Sequence, residues 1–208
     1  MTRVVVLDYG SGNLRSAERA LAATGAEVVV TPDLELAAAA DGLVVPGVGA
    51  FAACMAGIDR AGAGPVIAAR VGEGRPVLGI CVGAQIMFDS GDEHGLVTKG
   101  LGLLPGAVTR LAARRVPHMG WNTLDAPAGS ELFEGVAADA RAYFVHSYAV
   151  TPNADLDGVA FVTTSTHERA TFVAAAERGA LAVTQFHPEK SAAVGAQILR
   201  NWVGRLRG

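Results

Sequence analysis

Residues 76–88 read PVLGICVGAQIMF and place a cysteine between two glycines at the end of an apolar run. Residues 77–80 are short, apolar and preceded by a proline, which is typical of a buried strand. Residues 84–88 predict the start of a helix. Cys81 is therefore expected at a turn from a strand into a helix.

The segment Gly-Ile-Cys-Val-Gly at 79–83 has the form of a nucleophile elbow, in which glycines allow a sharp turn that exposes the central side chain. The N-terminus of the following helix would favour a thiolate over a thiol at Cys81. The alternative is a cysteine that only packs, because an unpaired cysteine usually behaves as a small apolar residue. The motif alone leaves both interpretations open.

Strands and helices alternate along the first half of the chain. Strands are predicted at 3–8, 27–30, 42–45 and 76–80, and helices at 13–24, 34–40 and 51–71 with a break at 62–65. This alternation predicts an α/β fold, a doubly wound and mostly parallel sheet with helices on both faces. Ligands of such sheets bind beyond the carboxyl ends of the strands, where Asp8, Pro46 and Cys81 are expected.

The second half changes character after a predicted loop at 89–102. Further strands are predicted at 143–150, 159–164, 171–175 and 181–186, and their short connections indicate additional antiparallel pairing. A closing helix is predicted at 191–206, with Ser191 as its N-cap. A length of 208 residues suits one core, so we expect a single domain over residues 1–208.

The composition excludes several classes of partner. Hydrophobic residues make up 50% of the chain, which suits a sheet buried on both faces. The net charge is −3 and no basic block occurs, so neither nucleic acid nor an anionic membrane is an expected partner. The first apolar run is too short for a signal peptide, and no stretch reaches membrane-spanning length, so we expect a cytoplasmic protein.

The two cysteines, Cys54 and Cys81, lie far apart and form no C-x-x-C pair. This argues against a disulfide framework and a zinc site. Cys54 follows Phe51-Ala52-Ala53 in a predicted helix and is interpreted as a core residue. Four residues that could bind a metal lack regular ligand spacing, so neither a metal nor a cofactor is expected: Asp89, Asp92, Glu93 and His94.

A thiolate nucleophile needs a general base that a third group orients. His187 follows the apolar strand predicted at 181–186 and precedes Pro188 and Glu189. In an extended segment residues two apart face the same way, so Glu189 can hold the His187 imidazole in one tautomer. The alternative is an ordinary strand end with a surface acid.

Two glycine-rich turns follow predicted strands. PGVGAF at 46–51 offers backbone N–H groups for an oxyanion, and Gly47 and Gly49 permit a peptide flip that would aim or withdraw an amide. An ordinary turn between a strand and a helix is the alternative there. DYGSGN at 8–13 is neither a Walker motif nor a full G-x-G-x-x-G, so it indicates phosphate binding only weakly.

These residues resemble a known family. GICVGAQ at 79–85 and QFHPEKS at 185–191 are similar to the nucleophile and His/Glu motifs of class I (triad) glutamine amidotransferases. Four further motifs resemble the glutaminase subunits of imidazole glycerol phosphate synthase, which acts in histidine biosynthesis: DYGSGNLRS at 8–16, PGVGAF at 46–51, PHMGWN at 117–122 and YFVHSY at 143–148. The motifs cover essentially the whole chain in order.

The resemblance implies a reaction. Cys81 would attack the side-chain amide of glutamine and give a glutamyl thioester and ammonia, while His187 moves protons and Glu189 orients it. Water would then release glutamate. The resemblance also implies an oxyanion hole from the backbone at Val48, Gly49 and Val82, and glutamine contacts from Gln85, Glu93, Tyr143, Ser147 and Tyr148. Glu93 would pair with the α-ammonium group.

Ammonia acts as a nucleophile only while unprotonated, so a closed route to an acceptor site is required. The resemblance implies that a cyclase subunit, a (β/α)₈ barrel, supplies this site in a heterodimer and forms imidazole glycerol phosphate and AICAR. It places Asn13, Met119, Trp121 and Asn122 at or near the interface. A flip of the Val48-Gly49 peptide would then let the partner activate the glutaminase.

The resemblance is not complete. Val82 and Ala84 stand where the family more often has Leu and Met, and the stretch 166–169 departs from the expected pattern, so we assign it no role. Three other interpretations stay open: the glutaminase component of another ammonia-channelling synthase, a cysteine peptidase on a similar sheet, and a flavodoxin-like binding module with an inert cysteine.

Overall fold

A computed structural model of the protein describes residues 1–206. The strands are β1 (Arg3–Leu7), β2 (Glu27–Thr31), β3 (Gly42–Gly47), β4 (Val77–Cys81), β5 (Phe88–Glu93), β6 (Leu96–Lys99), β7 (Leu104–Arg110), β8 (His118–Thr123), β9 (Arg141–His146), β10 (Tyr148–Val150), β11 (Phe161–His167), β12 (Ala170–Arg178) and β13 (Leu181–Thr184). The helices are α1 (Leu14–Ala22), α2 (Leu34–Ala39), α3 (Phe51–Ala61), α4 (Ala63–Gly72), α5 (Val82–Gln85), α6 (Ala154–Asp157) and α7 (Ala192–Arg205), and a 3₁₀ turn covers Pro188–Lys190.

Seven strands form the central sheet in the order β11-β12-β13-β4-β3-β1-β2. The five strands from β13 to β2 run parallel, and β12 and β11 continue the sheet antiparallel. This arrangement confirms the predicted α/β fold with a mostly parallel sheet. The break predicted at 62–65 is also found, since α3 ends and α4 begins at Gly62, where φ is +67°.

The middle strands of this sheet are covered on both faces. Every residue of β4 is buried, and so are four consecutive residues of β1, Val4 to Leu7. Successive side chains of a strand point to opposite faces, so continuous burial requires packing on both sides. One cluster of buried apolar side chains extends from Val4 to Val203.

A second sheet lies in a segment where the sequence predicted a helix start and a loop. Its order is β10-β7-β5-β6, so residues 88–93 and 96–99 are strands. The predicted helix is found after Cys81 as α5, but it ends at Gln85 and does not continue to residue 88. The loop predicted at 89–102 is wrong, because this segment contains β5 and β6. The cause is tertiary, because the carbonyls of Ile86 and Met87, which would continue the helix, accept hydrogen bonds from Leu101 and Leu103 at 2.8 Å.

Strands β8 and β9 form a separate two-stranded antiparallel ribbon. The strand predicted at 143–150 is divided at Ser147 into β9 and β10, which belong to different sheets. The Ser147 carbonyl accepts a hydrogen bond from the Leu111 amide, at the end of β7. The chain therefore passes from the ribbon to the second sheet at Ser147.

One buried side chain, Arg70 of α4, binds the segments that lead into strands β3 and β4. Its guanidinium donates hydrogen bonds of 2.9 to 3.3 Å to five backbone carbonyls, those of Ala37, Ala38, Ala40, Asp41 and Pro76. Burial lowers the pKa of Arg70 to about 10, so it is still charged at neutral pH. Arg70 therefore ties together the segments that enter β3 and β4.

Replacing Arg70 by Leu leaves these carbonyls without a donor in a buried region. We expect Arg70→Leu to lower the free energy of unfolding by about 3 kcal/mol or more, measured by urea denaturation. Arg75→Leu is the matched control, because Arg75 donates to only two carbonyls in this region and is partly exposed. Equal losses in the two variants would contradict the role given to Arg70.

Candidate active site

The sheet brings Cys81, His187 and Glu189 to one edge. Cys81 ends β4, which lies between β3 and β13, and Gly47 of β3 is its register neighbour. His187 follows β13 by three residues, so it emerges beside Cys81 at the carboxyl ends of parallel strands. This is the edge at which doubly wound sheets place their ligands.

Cys81 adopts a backbone conformation that is rare for a residue with a side chain. Its φ is +56° and its ψ is −117°, and it forms the N-cap of α5. Such strain is characteristic of a nucleophile on a strand-to-helix elbow. The elbow was expected to expose the Cys81 side chain, but the residue is only 4% exposed and lines a cavity.

The two glycines of the elbow are needed for space. A Cβ atom on Gly79 would lie 2.8 Å from the Gly83 carbonyl oxygen, and one on Gly83 would overlap the Val45 carbonyl of β3. The positive φ belongs to Cys81 and to neither glycine. The elbow is therefore packed directly on the neighbouring strand.

His187 and Glu189 form a buried pair. His187 Nδ1 lies 2.8 Å from Glu189 Oε1, and the two side chains are 4% and 3% exposed. The expected contact is present, but the 3₁₀ turn beginning at Pro188 carries Glu189, so a fully extended segment does not produce it. The carboxylate fixes the orientation of the imidazole.

Ser191 holds this segment in place, a role that its expected position as an N-cap did not predict. Its hydroxyl donates to the His187 carbonyl at 2.6 Å and accepts from the Tyr143 amide at 2.9 Å, and it makes no side-chain cap bond in α7. The His187 amide donates to the Tyr143 carbonyl at 3.0 Å. His187 is thus attached to β9 through its main chain.

The environment of His187 favours the charged imidazolium. Burial lowers its pKa, but the hydrogen bonds to Cys81 and Glu189 and their negative charges outweigh this effect and raise the pKa to about 9. A protonated imidazole beside Cys81 can stabilise a thiolate and can deliver a proton to a leaving group.

One residue of the segment 46–51, Val48, is bound through its main chain to the hydroxyl of Ser11. The Val48 amide donates to Ser11 Oγ at 3.2 Å, and the Val48 carbonyl lies 3.0 Å from the same hydroxyl. Cys54, fully buried as its interpretation as a core residue requires, places its Sγ 3.4 Å from that carbonyl. Gly49 has a φ of +86°, a conformation that glycine adopts without strain.

Val82 supplies another amide near Cys81. It is the first residue of α5, and the first amides of a helix have no acceptor within it. Of the two amides predicted for the oxyanion hole at Val48 and Val82, that of Val48 is bound to Ser11.

A cavity of about 260 Å³ opens at Cys81. It is lined by Val48, Gly49, Cys81, Val82, Gln85, Glu93, Val145, His146, Ser147, Tyr148, His187 and Lys190. This set contains all but one of the predicted oxyanion and glutamine-binding residues. Tyr143 does not line the cavity, because its ring packs against its cross-strand neighbour Trp121 at a centroid distance of 6.0 Å.

The side-chain amide of Gln85 is held through its NH₂ group, and its oxygen has no hydrogen-bond partner. Its Nε2 donates at 2.9 Å to the Tyr148 carbonyl and to Gln185 Oε1, while its own Oε1 is buried without a hydrogen-bond partner. Gln185 Nε2 lies 3.9 Å from Cys81 Sγ. Reasoning from the sequence missed a role for Gln185, although its place beside His187 in QFHPEKS was a signal.

Glu93 joins the cavity to α3. Its Oε2 accepts a hydrogen bond from the Phe51 amide at 3.0 Å, which satisfies one of the free amides at the helix N-terminus. The residue is half-buried on β5 and contributes negative charge to the cavity wall.

The residues predicted at a partner interface lie in two places. Met119 and Trp121 of β8 are 63% and 50% exposed, and Asn122 beside them is half-buried. Asn13 is distant in sequence, forms the N-cap of α1 and lines a small cavity with His187 and Glu189.

A larger open cavity of about 610 Å³ lies along residues 124–138, away from the cysteine. Its walls contain neither cysteine nor histidine. Within residues 1–206 no group of three or more potential ligands could hold a metal ion. No helix in this part of the chain is long and apolar enough to cross a membrane.

The raised pKa of His187 makes stability depend on pH. Because the folded chain binds this proton more tightly than the unfolded chain, the contribution of His187 is full below pH 6.5 and is lost as the pH rises through about 9. We expect the stability difference between the unmodified protein and His187→Gln to shrink across this range, by at most about 3 kcal/mol, in urea denaturation at a series of pH values. The exposed His94 supplies the control variant His94→Gln, and a difference for His187→Gln that grows with pH would contradict the sign.

Comparison with known proteins identifies the family of this chain. A family model described as "Glutamine amidotransferase class-I" matches residues 5–205. The chain is 61% identical over 208 residues to "Imidazole glycerol phosphate synthase subunit HisH" of Mycobacterium bovis, covering 98% of each chain. It is 59% identical over 209 residues to the protein of the same name from Streptomyces avermitilis, covering 98% of this chain and 97% of that one.

Two solved structures share the fold at low sequence identity. One, "glutamine amidotransferase", has a TM-score of 0.75 at 20% identity and covers 99% of both chains. The other, PurLQS from Thermotoga maritima, has a TM-score of 0.74 at 19% identity and the same coverage. With the family model matching nearly the whole described chain, the protein belongs to the class I glutamine amidotransferase family.

Proposed function

We propose that this chain is the glutaminase subunit of imidazole glycerol phosphate synthase, and that it hydrolyses glutamine for a cyclase partner in histidine biosynthesis. The observation that carries the proposal is the placement of Cys81 beside the buried His187–Glu189 pair, at the wall of a cavity that also contains Gln85 and Glu93. The high identity to relatives named HisH subunits supports the choice of synthase.

Glutamine is recognised by groups at two places in the cavity. Glu93 supplies a negative charge for the α-ammonium group, and the unpartnered Oε1 of Gln85 accepts a hydrogen bond from the substrate. Ser147 and Tyr148 complete the wall between them. The side-chain amide of glutamine is then directed at Cys81.

In the first half of the reaction the Cys81 thiolate attacks the carbon of the side-chain amide. The resulting oxyanion is stabilised by backbone amides, and the His187 imidazolium donates its proton to the nitrogen as the carbon–nitrogen bond breaks. Ammonia leaves and a glutamyl thioester stays on Cys81. Glu189 holds His187 in position throughout.

In the second half, neutral His187 takes a proton from water, and the hydroxide attacks the thioester carbon. The carbon–sulfur bond breaks, glutamate is released and the Cys81 thiolate and His187 imidazolium are restored. The products of each cycle are therefore one glutamate and one ammonia from one glutamine and one water.

The orientation of Val48 supports activation by the partner. In the isolated chain its amide is bound to Ser11 and does not point at a developing oxyanion. Completing the oxyanion hole with this amide requires the Gly47–Val48 peptide to rotate, one peptide before the Val48-Gly49 flip expected from the resemblance. A partner that binds the rotated state more tightly shifts the population toward it. The isolated subunit is therefore expected to be nearly inactive.

The exposed face of the ribbon supports a docking surface for that partner. Trp121 and Met119 offer large apolar side chains to solvent, and such residues anchor protein interfaces. We infer a heterodimer with the cyclase. We also infer a cytoplasmic location, because the reaction needs the free thiol of Cys81, and thiols are kept reduced there.

The proposal is tested by measuring glutamate formed from glutamine in three mixtures: this protein alone, with the purified cyclase subunit, and with the cyclase and its nucleotide precursor. Little activity alone and strong stimulation in the complete mixture is the expected result. Equal activity in all three mixtures would remove the partner assignment but keep the glutaminase.

The assignment of the nucleophile is tested by labelling with a glutamine-like diazoketone. We expect the label on Cys81 in the unmodified protein and in Cys54→Ala, and none in Cys81→Ala. Cys54→Ala is the matched control because Cys54 is the other free cysteine of the chain. A chain without activity in any mixture and without label at Cys81 would favour a binding module with an inert cysteine.

Ser11→Ala removes the acceptor that holds the Val48 amide away from the cavity. We expect the rate of the isolated subunit to rise about five-fold, the effect of one lost hydrogen bond, while the rate in the complete mixture changes little. Ser16→Ala, on the exposed side of α1, is the control. An unchanged or lower rate for the isolated Ser11→Ala subunit would contradict this account of activation.

A further inference from the structure

A chain of side-chain hydrogen bonds connects the ribbon to the wall of the cavity. Asn122 Nδ2 lies 3.3 Å from His118 Nε2, and His118 Nδ1 lies 3.1 Å from His146 Nε2. His146 Nδ1 lies 3.0 Å from the Tyr148 carbonyl oxygen. The chain therefore begins beside the exposed Trp121 and ends at a residue that lines the glutamine cavity.

The acceptor at one end of this hydrogen-bond chain and the donor at the other determine which ring nitrogen of each histidine carries the proton. A carbonyl oxygen only accepts, so His146 Nδ1 must carry the proton that it shares with Tyr148, and in neutral His146 the Nε2 is then an acceptor. His118 Nδ1 must donate to that acceptor, which leaves His118 Nε2 as an acceptor as well. Asn122 Nδ2 is the donor that His118 Nε2 requires.

The orientation of the Asn122 amide is set independently and agrees with this assignment. Its Oδ1 accepts from the Thr123 amide at 2.9 Å, and its Nδ2 also donates to the Thr166 carbonyl at 3.0 Å. The amide cannot be rotated without losing both bonds. Thr166 belongs to the stretch 166–169, for which the sequence analysis assigned no role.

Both histidines are held neutral and fixed. They are buried, and burial is the main cause that lowers the pKa of His118 to about 4 and of His146 to about 3. The His118 ring stacks on Phe144 and on His167, with centroid distances of 5.0 and 4.3 Å. Neither ring is free to turn and exchange its donor and acceptor atoms.

The last acceptor of the hydrogen-bond chain, the Tyr148 carbonyl, also binds a residue of the proposed glutamine site. The Tyr148 carbonyl accepts from His146 and from Gln85 Nε2, and Gln85 is the residue whose free Oε1 faces bound glutamine in our proposal. A change in the donor at His146 therefore changes the anchor of Gln85. His146 itself lines the cavity between Val145 and Ser147.

We propose that Asn122, His118 and His146 are positioning residues that transmit the state of the ribbon to the glutamine site by fixing one tautomer in each histidine. The ribbon relay, as we name these three residues, acts on glutamine binding and does not touch the reacting atoms. This inference rests on the proposed function, because it takes glutamine as the ligand of the cavity and the ribbon as the surface that the partner covers.

Asn122→Asp tests the relay with almost no change of shape. The carboxylate keeps the acceptor for the Thr123 amide but has no proton for His118 Nε2 or the Thr166 carbonyl. His118 must then carry its proton on Nε2 to donate to the carboxylate. The hydrogen bond between His118 and His146 then reverses its direction or is lost, and so is the one from His146 to the Tyr148 carbonyl. Asn201→Asp is the matched control, since Asn201 of α7 also donates through Nδ2 to two carbonyls, those of Leu132 and Glu134.

The first measurement is the two-bond ¹H–¹⁵N spectrum of the full chain labelled at histidine. We expect two histidines, His118 and His146, to carry the proton on Nδ1 in the unmodified protein and in Asn201→Asp, and to change in Asn122→Asp. His167 is an internal reference, because its Nε2 donates to the Arg115 carbonyl. Nδ1 without a proton in either relay histidine, or a pattern unaltered by Asn122→Asp, would overturn the proposal.

The second measurement is the kinetics of glutamine hydrolysis with the cyclase and its precursor present. We expect Asn122→Asp and His146→Leu to raise KM for glutamine about five-fold with a smaller effect on kcat, since the relay affects binding. His146→Asn, whose amide can donate near the position of Nδ1, should restore most of the loss. Unchanged KM, or a loss confined to kcat, would overturn the proposal.

The two measurements separate this inference from the function on which it rests. An unmodified chain that hydrolyses no glutamine in any mixture would overturn the proposed function, and with it the assignment of the cavity to glutamine. The ¹H–¹⁵N spectrum reports the histidine tautomers in the absence of glutamine hydrolysis, so it tests the relay even if the proposed function is wrong. Normal hydrolysis with the wrong tautomers would overturn the relay alone.

Discussion

The close packing of the elbow at 79–83 against β3 is the constraint on which the site depends. A side chain on Gly83 would overlap the Val45 carbonyl, and one on Gly47 would overlap the Gly83 amide, so the two strand ends touch backbone to backbone. This contact fixes the direction in which Cys81 leaves its strand and forces the positive φ on it. It also sets the distance between Cys81 and the 46–51 segment that carries the oxyanion amides.

Two serine hydroxyls then decide the positions of the groups that act on the cysteine. Ser191 connects the main chain of His187 to β9, and Ser11 binds the main chain of Val48. The bond from Ser191 to the His187 carbonyl is buried and the one from the Tyr143 amide is partly buried, whereas the bond from the Val48 amide to Ser11 is exposed. Breaking a buried hydrogen bond leaves its groups unsatisfied, so the contacts of His187 are costlier to break than the exposed contact that holds the Val48 amide, which a docking partner can replace.

Much of this arrangement could be predicted from the sequence, because the decisive signals are local. Residues 77–83 show a buried strand, a nucleophile and a turn within a few positions, and His187 and Glu189 are two residues apart. Predictions failed where a distant segment supplied the hydrogen bonds. Ile86 and Met87 lie in an apolar run that favours a helix, yet their carbonyls bind residues 101 and 103 and the helix ends.

The hydrogen bonds that connect Asn122 to His146 could not be predicted from the sequence for the same reason. His118 and His146 are 28 residues apart, and nothing in either surrounding motif specifies which ring nitrogen faces the other. Ser11 and Val48 are likewise 37 residues apart. Residue types at motif positions can be read along the chain, but the partner of each polar atom is determined by the packing of sheets and turns.

Two sets of hydrogen bonds therefore connect the surface to residues that line one cavity, one through Ser11 and the other through Asn122. The route through Ser11 ends at Val48, whose amide acts only once an oxyanion forms, so a change there alters the rate of the chemical step. The route through Asn122 ends at Tyr148 and Gln85. We propose that these two residues contact glutamine before reaction, so a change there is expected to alter binding. Both routes begin next to residues that we assign to the same partner surface, Asn13 and Trp121. A single docking event can then tighten glutamine binding and complete the oxyanion hole together, and ammonia would form mainly while an acceptor site is in place.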